Sequence, residues 1–208
     1  MRVNLIELLA ERTITHPTHI EAVTWRSDEL SIVVSGYRWW KPHYAADAMD
    51  GRIRLIFSGL VDGCIRPDEF SLSEDEALED FRLERVADVP WAQPMDQSVF
   101  CSAPIPKPLA LYVRLSDFLS RAGAFREARH YLNQADQIAS FVKMAASTGF
   151  LLCRGPNCVR SLICTELDAQ GVPHNVLRTA ADMTADFLVT IGNSAFLCCQ
   201  AEAEMDLN

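Results

Sequence analysis

The sequence predicts an α+β chain in two parts: an N-terminal antiparallel β-meander domain with short helices, then a C-terminal domain made of a helix pair and a small mixed α/β sheet. Three observations predict it. β-Branched runs with period-two character occupy much of the first sixty residues. Proline stands at every second position in Pro104, Pro106 and Pro108, a segment that can neither continue a helix nor donate to a ladder. Beyond it the apolar spacing changes from two to 3.6. The expected division is 1–103, a linker at 104–108, and 109–208.

In chain order, residues 1–12 place acids at Glu7 and Glu11 inside an apolar stretch, which reads as a short amphipathic helix and not as a signal peptide. His19–Trp25 and Leu30–Ser35 are strands joined by a hairpin turn at Ser27-Asp28-Glu29, and Arg52–Phe57 is a third strand of the meander. Ser73 with Glu76 three residues on is a capping box, which predicts a helix in the acidic stretch that follows. Val99-Phe100-Cys101 is a further short strand.

After the prolines, Leu115, Phe118, Leu119, Ala122, Phe125, Ala128 and Leu132 fall on one helical stripe, with Gly123 as a break, and Ile138, Phe141, Val142 and Ala145 on a second from about 134 to 147. Gly149–Cys153 is a buried strand, Asn157 the N-cap of a helix that stops at Gly171, and His174–Leu177 a strand parallel to the first by the crossover rule. Asp186–Ile191 and Ala195–Cys199 flank a hairpin turn, and residues 202–206 are expected to be a frayed tail.

Charge narrows the function classes. The 208 residues carry a net charge of −9, with −8 in residues 1–105 and −1 in the remainder. The stretch Asp68–Glu84 alone carries −7, because Arg82 is its only cation. Nucleic-acid binding draws its affinity from clustered Lys and Arg, so this balance argues against it and for a basic protein partner. No apolar run approaches the ~20 residues of a membrane span. Seven cysteines, an odd and irregularly spaced set, lack the pattern of a secreted disulfide scaffold, which points to a reducing cytoplasm.

Candidate chemistry is sparse. Tyr37, Arg38, Trp39, Trp40 and Tyr44, in the connection between the second and third strands, are residue types that dominate binding hot spots. His16 and His19 have a His-x-x-His spacing, yet no Cys-x-x-Cys completes a zinc site, and buried structural cysteines are the stronger reading. The Arg154–Asn157 turn joins a strand to a helix N-terminus with one glycine, short of any phosphate-loop fingerprint. No Gly-x-Ser-x-Gly occurs, and a Cys153–His174 dyad depends on a proximity that sequence alone does not give. The expectation is a protein with no catalytic residues, no metal and no cofactor.

Trp25, the strand Leu30–Ser35, the strand Arg52–Phe57 followed by Ser58-Gly59-Leu60-Val61, and the acidic stretch after Pro67 together resemble bacterial immunity proteins against polymorphic toxins. The resemblance covers about the first hundred residues. It implies an inhibitor that occludes a basic toxin's active site through an acidic surface. The contact residues expected on that reading are Asp68, Glu69, Glu74, Asp75, Glu76, Glu79 and Asp80, with Tyr37, Arg38, Trp39, Trp40 and Tyr44. A small-molecule or nucleotide-binding enzyme in the C-terminal half is the alternative, and a homo-oligomeric subunit a third reading.

Overall fold

A computed structural model describes residues 2–11, 18–36, 51–66, 81–180, 184–192 and 194–205. The chain is mixed α+β, with a large antiparallel sheet and few helices, and it divides into two compact units. One comprises 1–88 with 185–208, the other 89–184.

The first unit is built on strands β1 (Arg2–Asn4), β2 (Thr18–Arg26), β3 (Glu29–Gly36), β4 (Gly51–Cys64), β5 (Arg82–Arg85), β9 (Phe187–Ile191) and β10 (Ser194–Met205), with helix α1 (Leu5–Glu11). Their order is β2-β3-β4-β10-β9-β5, and β1 pairs with the C-terminal end of β10. The expected meander is present as β2-β3-β4, with Trp25 opposite Leu30 and Ile32 opposite Leu55. Alternation then decides the faces. Leu30, Ile32 and Val34 of β3, Ile53, Leu55 and Phe57 of β4, and Ala201 and Ala203 of β10 all point to one side, where fully buried Leu5 of α1 joins the same core. Phe57 meets Phe196 edge to face at 5.3 Å.

The opposite face is charged. Arg52 bonds Glu21 at 2.6 Å, reaching from β4 across β3 to β2, while Arg54 bonds Glu204 at 2.9 Å and Arg2 approaches Glu202 at 3.5 Å, these two pairs bridging neighbouring strands. Burial pushes the Glu21 carboxyl up, but hydrogen bonds from Ser35 and Arg52 and the Arg52 charge outweigh it and hold the group below its usual value.

The second unit holds β6 (Gln97–Cys101), α2 (Pro108–Arg121), α3 (Ile138–Ala145), β7 (Phe150–Gly155), α4 (Asn157–Ala169) and β8 (His174–Arg178). Here α4 packs on β6 and β7, and α2 packs on both α3 and α4. Leu111, Leu115 and Leu119 line the buried stripe of α2, and Val159, Ile163 and Leu167 that of α4. Gly171 at φ 67° ends α4 in the left-handed geometry that glycine adopts without strain.

Four expectations are corrected. The small sheet is entirely antiparallel, in the order β7-β6-β8: the Val99–Cys101 strand inserts between the two strands expected to be neighbours. Those two do run in the same direction, since both oppose β6. The tail is no tail through Met205, because residues 202–205 pair with β4 on one side and, through Glu204, with β1 on the other. The first helical stripe ends at Arg121, followed by Gly123 at φ 64°, and Leu132 instead bridges to Cys153. The proline segment lies inside the second unit, where Ile105 is buried and its N–H donates to the Ala145 carbonyl at 2.8 Å. Contacts divide the chain near residues 88 and 184.

Candidate functional site

Strand lengths create the candidate site. β3 begins at Glu29, opposite Ser58, so the last residues of β4 run past the β2–β3 hairpin and pair with β10 alone. Two glycines permit that close pairing. Gly59, at φ 65°, brings its backbone so near β10 that an added Cβ would lie 2.9 Å from the Cys199 Cβ. At Gly63 a Cβ would sit 2.5 Å from the Phe196 Cβ and 2.8 Å from the Ala195 carbonyl oxygen. The register slips by one residue between Leu197 and Cys198, a bulge that turns the ribbon. The hairpin is tied to it by the Leu60 N–H, which donates to the Asp28 carbonyl at 3.1 Å.

Between the hairpin and this overhang lies a cavity of about 370 Å³. Trp25, Leu60, Val61, Ile65 and Phe196 form its apolar walls, and Asp62 supplies a carboxylate. Phe196 belongs to the buried core, whereas Trp25 keeps 46% of its surface exposed. A half-exposed tryptophan at the rim of an apolar pocket is the arrangement that anchors protein partners, with a large rigid ring at small entropy cost.

Of the described residues that flank 67–80, Arg66 donates its N–H to Ser194 Oγ at 3.0 Å, and the Phe81 ring lies 6.3 Å from Phe57. Both flanking residues lie near the β9–β10 turn end of the sheet, because Cys64 pairs with Ala195 and Arg82 with Thr190. Asp68, Glu69, Glu74, Asp75, Glu76, Glu79 and Asp80 lie outside the described residues, as do Tyr37, Arg38, Trp39, Trp40, Tyr44, the Ser73 capping box and His16. The far end of the stretch, Arg82–Arg85 with Glu84, is strand β5.

The pocket itself was not among the sequence-derived sites. Its signal was the unlike lengths of paired strands: Ser58-Gly59-Leu60-Val61 continues β4 beyond the residues that β3 has to offer, next to a tryptophan at a hairpin end.

The remaining candidates are not assembled into reactive sites. Cys153 is aligned with Val99 and His174 with Cys101 on opposite sides of β6, which separates their strands by about 10 Å. Burial, with Cys164 nearby, pushes the Cys101 thiol up to about 11; burial likewise raises Cys153 and brings Cys198 to about 12. Such thiols stay protonated at neutral pH and are poor nucleophiles. In the Arg154–Asn157 turn, Arg154 donates to the Ala180 carbonyl at 2.8 Å and the Arg160 guanidinium bonds Asn157 Oδ1. Among the described residues no three His, Cys, Asp or Glu side chains converge as metal ligands, and no helix is long and apolar enough to cross a membrane. No protein-family model, curated protein or solved structure matches the chain.

Proposed function

We propose that the chain is a non-enzymatic binding protein that captures a basic protein partner, in the manner of an immunity protein occluding a toxin's active site. The observation that supports this reading is the Trp25 pocket, with its apolar walls and the Asp62 carboxylate, in a chain whose residues 68–84 carry −7. A partner that offers an apolar side chain flanked by Lys or Arg would fill the pocket with the former and meet Asp62 and residues 68–80 with the latter. The apolar contact sets the lifetime of the complex, and the acidic charge speeds encounter and makes it salt-sensitive. No step of bond making is required of this chain. A cytoplasmic setting fits the seven cysteines, all of which are free thiols.

The test is association with the product of the neighbouring reading frame. Reversal of Glu74, Asp75, Glu79 and Asp80 to Lys is expected to slow association and flatten its salt dependence, and Trp25→Ala to speed dissociation. Unchanged kinetics in both variants would remove the proposal.

A further inference from the structure

We propose that the charged face of the large sheet is a second binding site, for small molecules that join an oxyanion to an apolar body. On that face a cavity of about 410 Å³ opens over β2, β3 and β4, a volume within the range of small-molecule sites. Arg2, Arg26, Arg52 and Arg54 line it with a single carboxylate, Glu29. The acids that hold three of these arginines, Glu21, Glu202 and Glu204, are not among its lining residues. The cavity therefore presents guanidinium groups, while their counter-charges stand aside and fix them.

The hydrogen-bond inventory points the same way. A guanidinium carries five N–H donors. Arg52 uses Nε and Nη2 on the same Glu21 oxygen, at 2.8 and 2.6 Å, and Arg54 uses Nη1 on Glu204 at 2.9 Å. Arg26 has no ion-pair partner among the described residues, although Glu29 stands opposite it across the hairpin. Planar donor forks held in place and left partly unused are what bidentate recognition of phosphate or carboxylate needs.

The floor supplies the second half of the specificity. Three apolar residues line the cavity on a face that is otherwise mostly polar or charged: exposed Ala22, and Ile56 and Val33, which are 2% and 9% exposed. Stability alone does not call for this arrangement, because exposed ion pairs contribute only ~0–1 kcal/mol each. An oxyanion between the arginines would leave an attached ring or alkyl chain lying along Ala22, over Val33 and Ile56. Glu29, which also lines the cavity, sets a limit: it repels an anion, so the oxyanion lies away from that carboxylate and among the guanidinium groups.

Phenyl phosphate is the direct probe, measured by titration calorimetry and thermal shift on the full chain. Saturable binding is expected, with inorganic phosphate weaker and benzyl alcohol silent. Arg26→Ala and Arg54→Gln should each weaken it about tenfold, equivalent to ~1.4 kcal/mol, whereas Trp25→Ala leaves it unchanged. Because Arg26 is exposed and lacks an ion-pair partner among the described residues, its variant folds even if Arg54→Gln does not. Absence of saturable binding, or equal affinity in wild type and Arg26→Ala, would overturn the proposal, and equal affinity for inorganic phosphate and phenyl phosphate would overturn the role of the apolar floor.

Discussion

Trp25 and Arg26 are neighbours in β2 and serve opposite faces of one sheet. Trp25 lines the apolar cavity at the edge of the core, and Arg26 lines the arginine cavity on the other side. The difference follows from the two-residue period of a strand, which lets adjacent positions answer to unrelated demands. The core face is fixed by packing: Leu30, Ile32, Phe57 and Ala203 have no alternative, since a one-residue slip would expose all of them. The charged face is under no such constraint. Its ion pairs add little to stability, so the accumulation of arginines there, in a chain of net −9, is free to serve recognition.

The largest expected effects lie on the core face. Phe57→Ala should cost ~3–5 kcal/mol in denaturant unfolding, because a fully buried ring that contacts Phe196 and Phe81 leaves a cavity behind. Leu5→Ala is expected to cost ~2–5 kcal/mol, which tests whether α1 is part of that core. Gly63→Ala comes next at ~1–3 kcal/mol, since its methyl would meet the β10 backbone, and it should weaken partner binding by deforming the pocket. On the charged face, Arg52→Gln should cost under ~1 kcal/mol. If Arg52→Gln proved as damaging as Phe57→Ala, the contrast between the faces would fail.

The smallest effect depends on pH. The folded-state Glu21 carboxyl lies below its ordinary 4.5, so its pairing stabilises the fold fully above that value. The contribution disappears as pH falls through the folded-state value. The stabilities of wild type and Arg52→Gln should therefore differ at neutral pH and converge in acid, as read from urea midpoints across the titration. A gap that widened toward low pH would contradict the assignment.

How much of this was legible in the sequence depended on the range of the interactions. Hairpins and helix ends, such as Ser27-Asp28 and Gly171, are local, and alternation or turn chemistry marks them. The C-terminal strand was legible too, since Gln200-Ala201-Glu202-Ala203-Glu204-Met205 alternates strictly, but proximity to the chain end favoured a frayed reading. Insertion of β6 between β7 and β8 was not, because no local pattern states which strand lies in the middle of a sheet. The two cavities share that origin. Each depends on register across strands distant in sequence: β4 against β10 for the Trp25 pocket, and β2, β3 and β4 together with β1 for the arginine face.

The comparison of Trp25 with Arg26 yields one decisive measurement: binding of the neighbouring-frame protein to wild type, Trp25→Ala and Arg26→Ala, followed by surface plasmon resonance over a series of salt concentrations. The expected result is salt-sensitive association with wild type, faster dissociation for Trp25→Ala by about tenfold or more, as for a hot-spot residue, and wild-type kinetics for Arg26→Ala. Dissociation unchanged by Trp25→Ala, or no association at any salt concentration, would contradict a partner site at the apolar margin of the sheet.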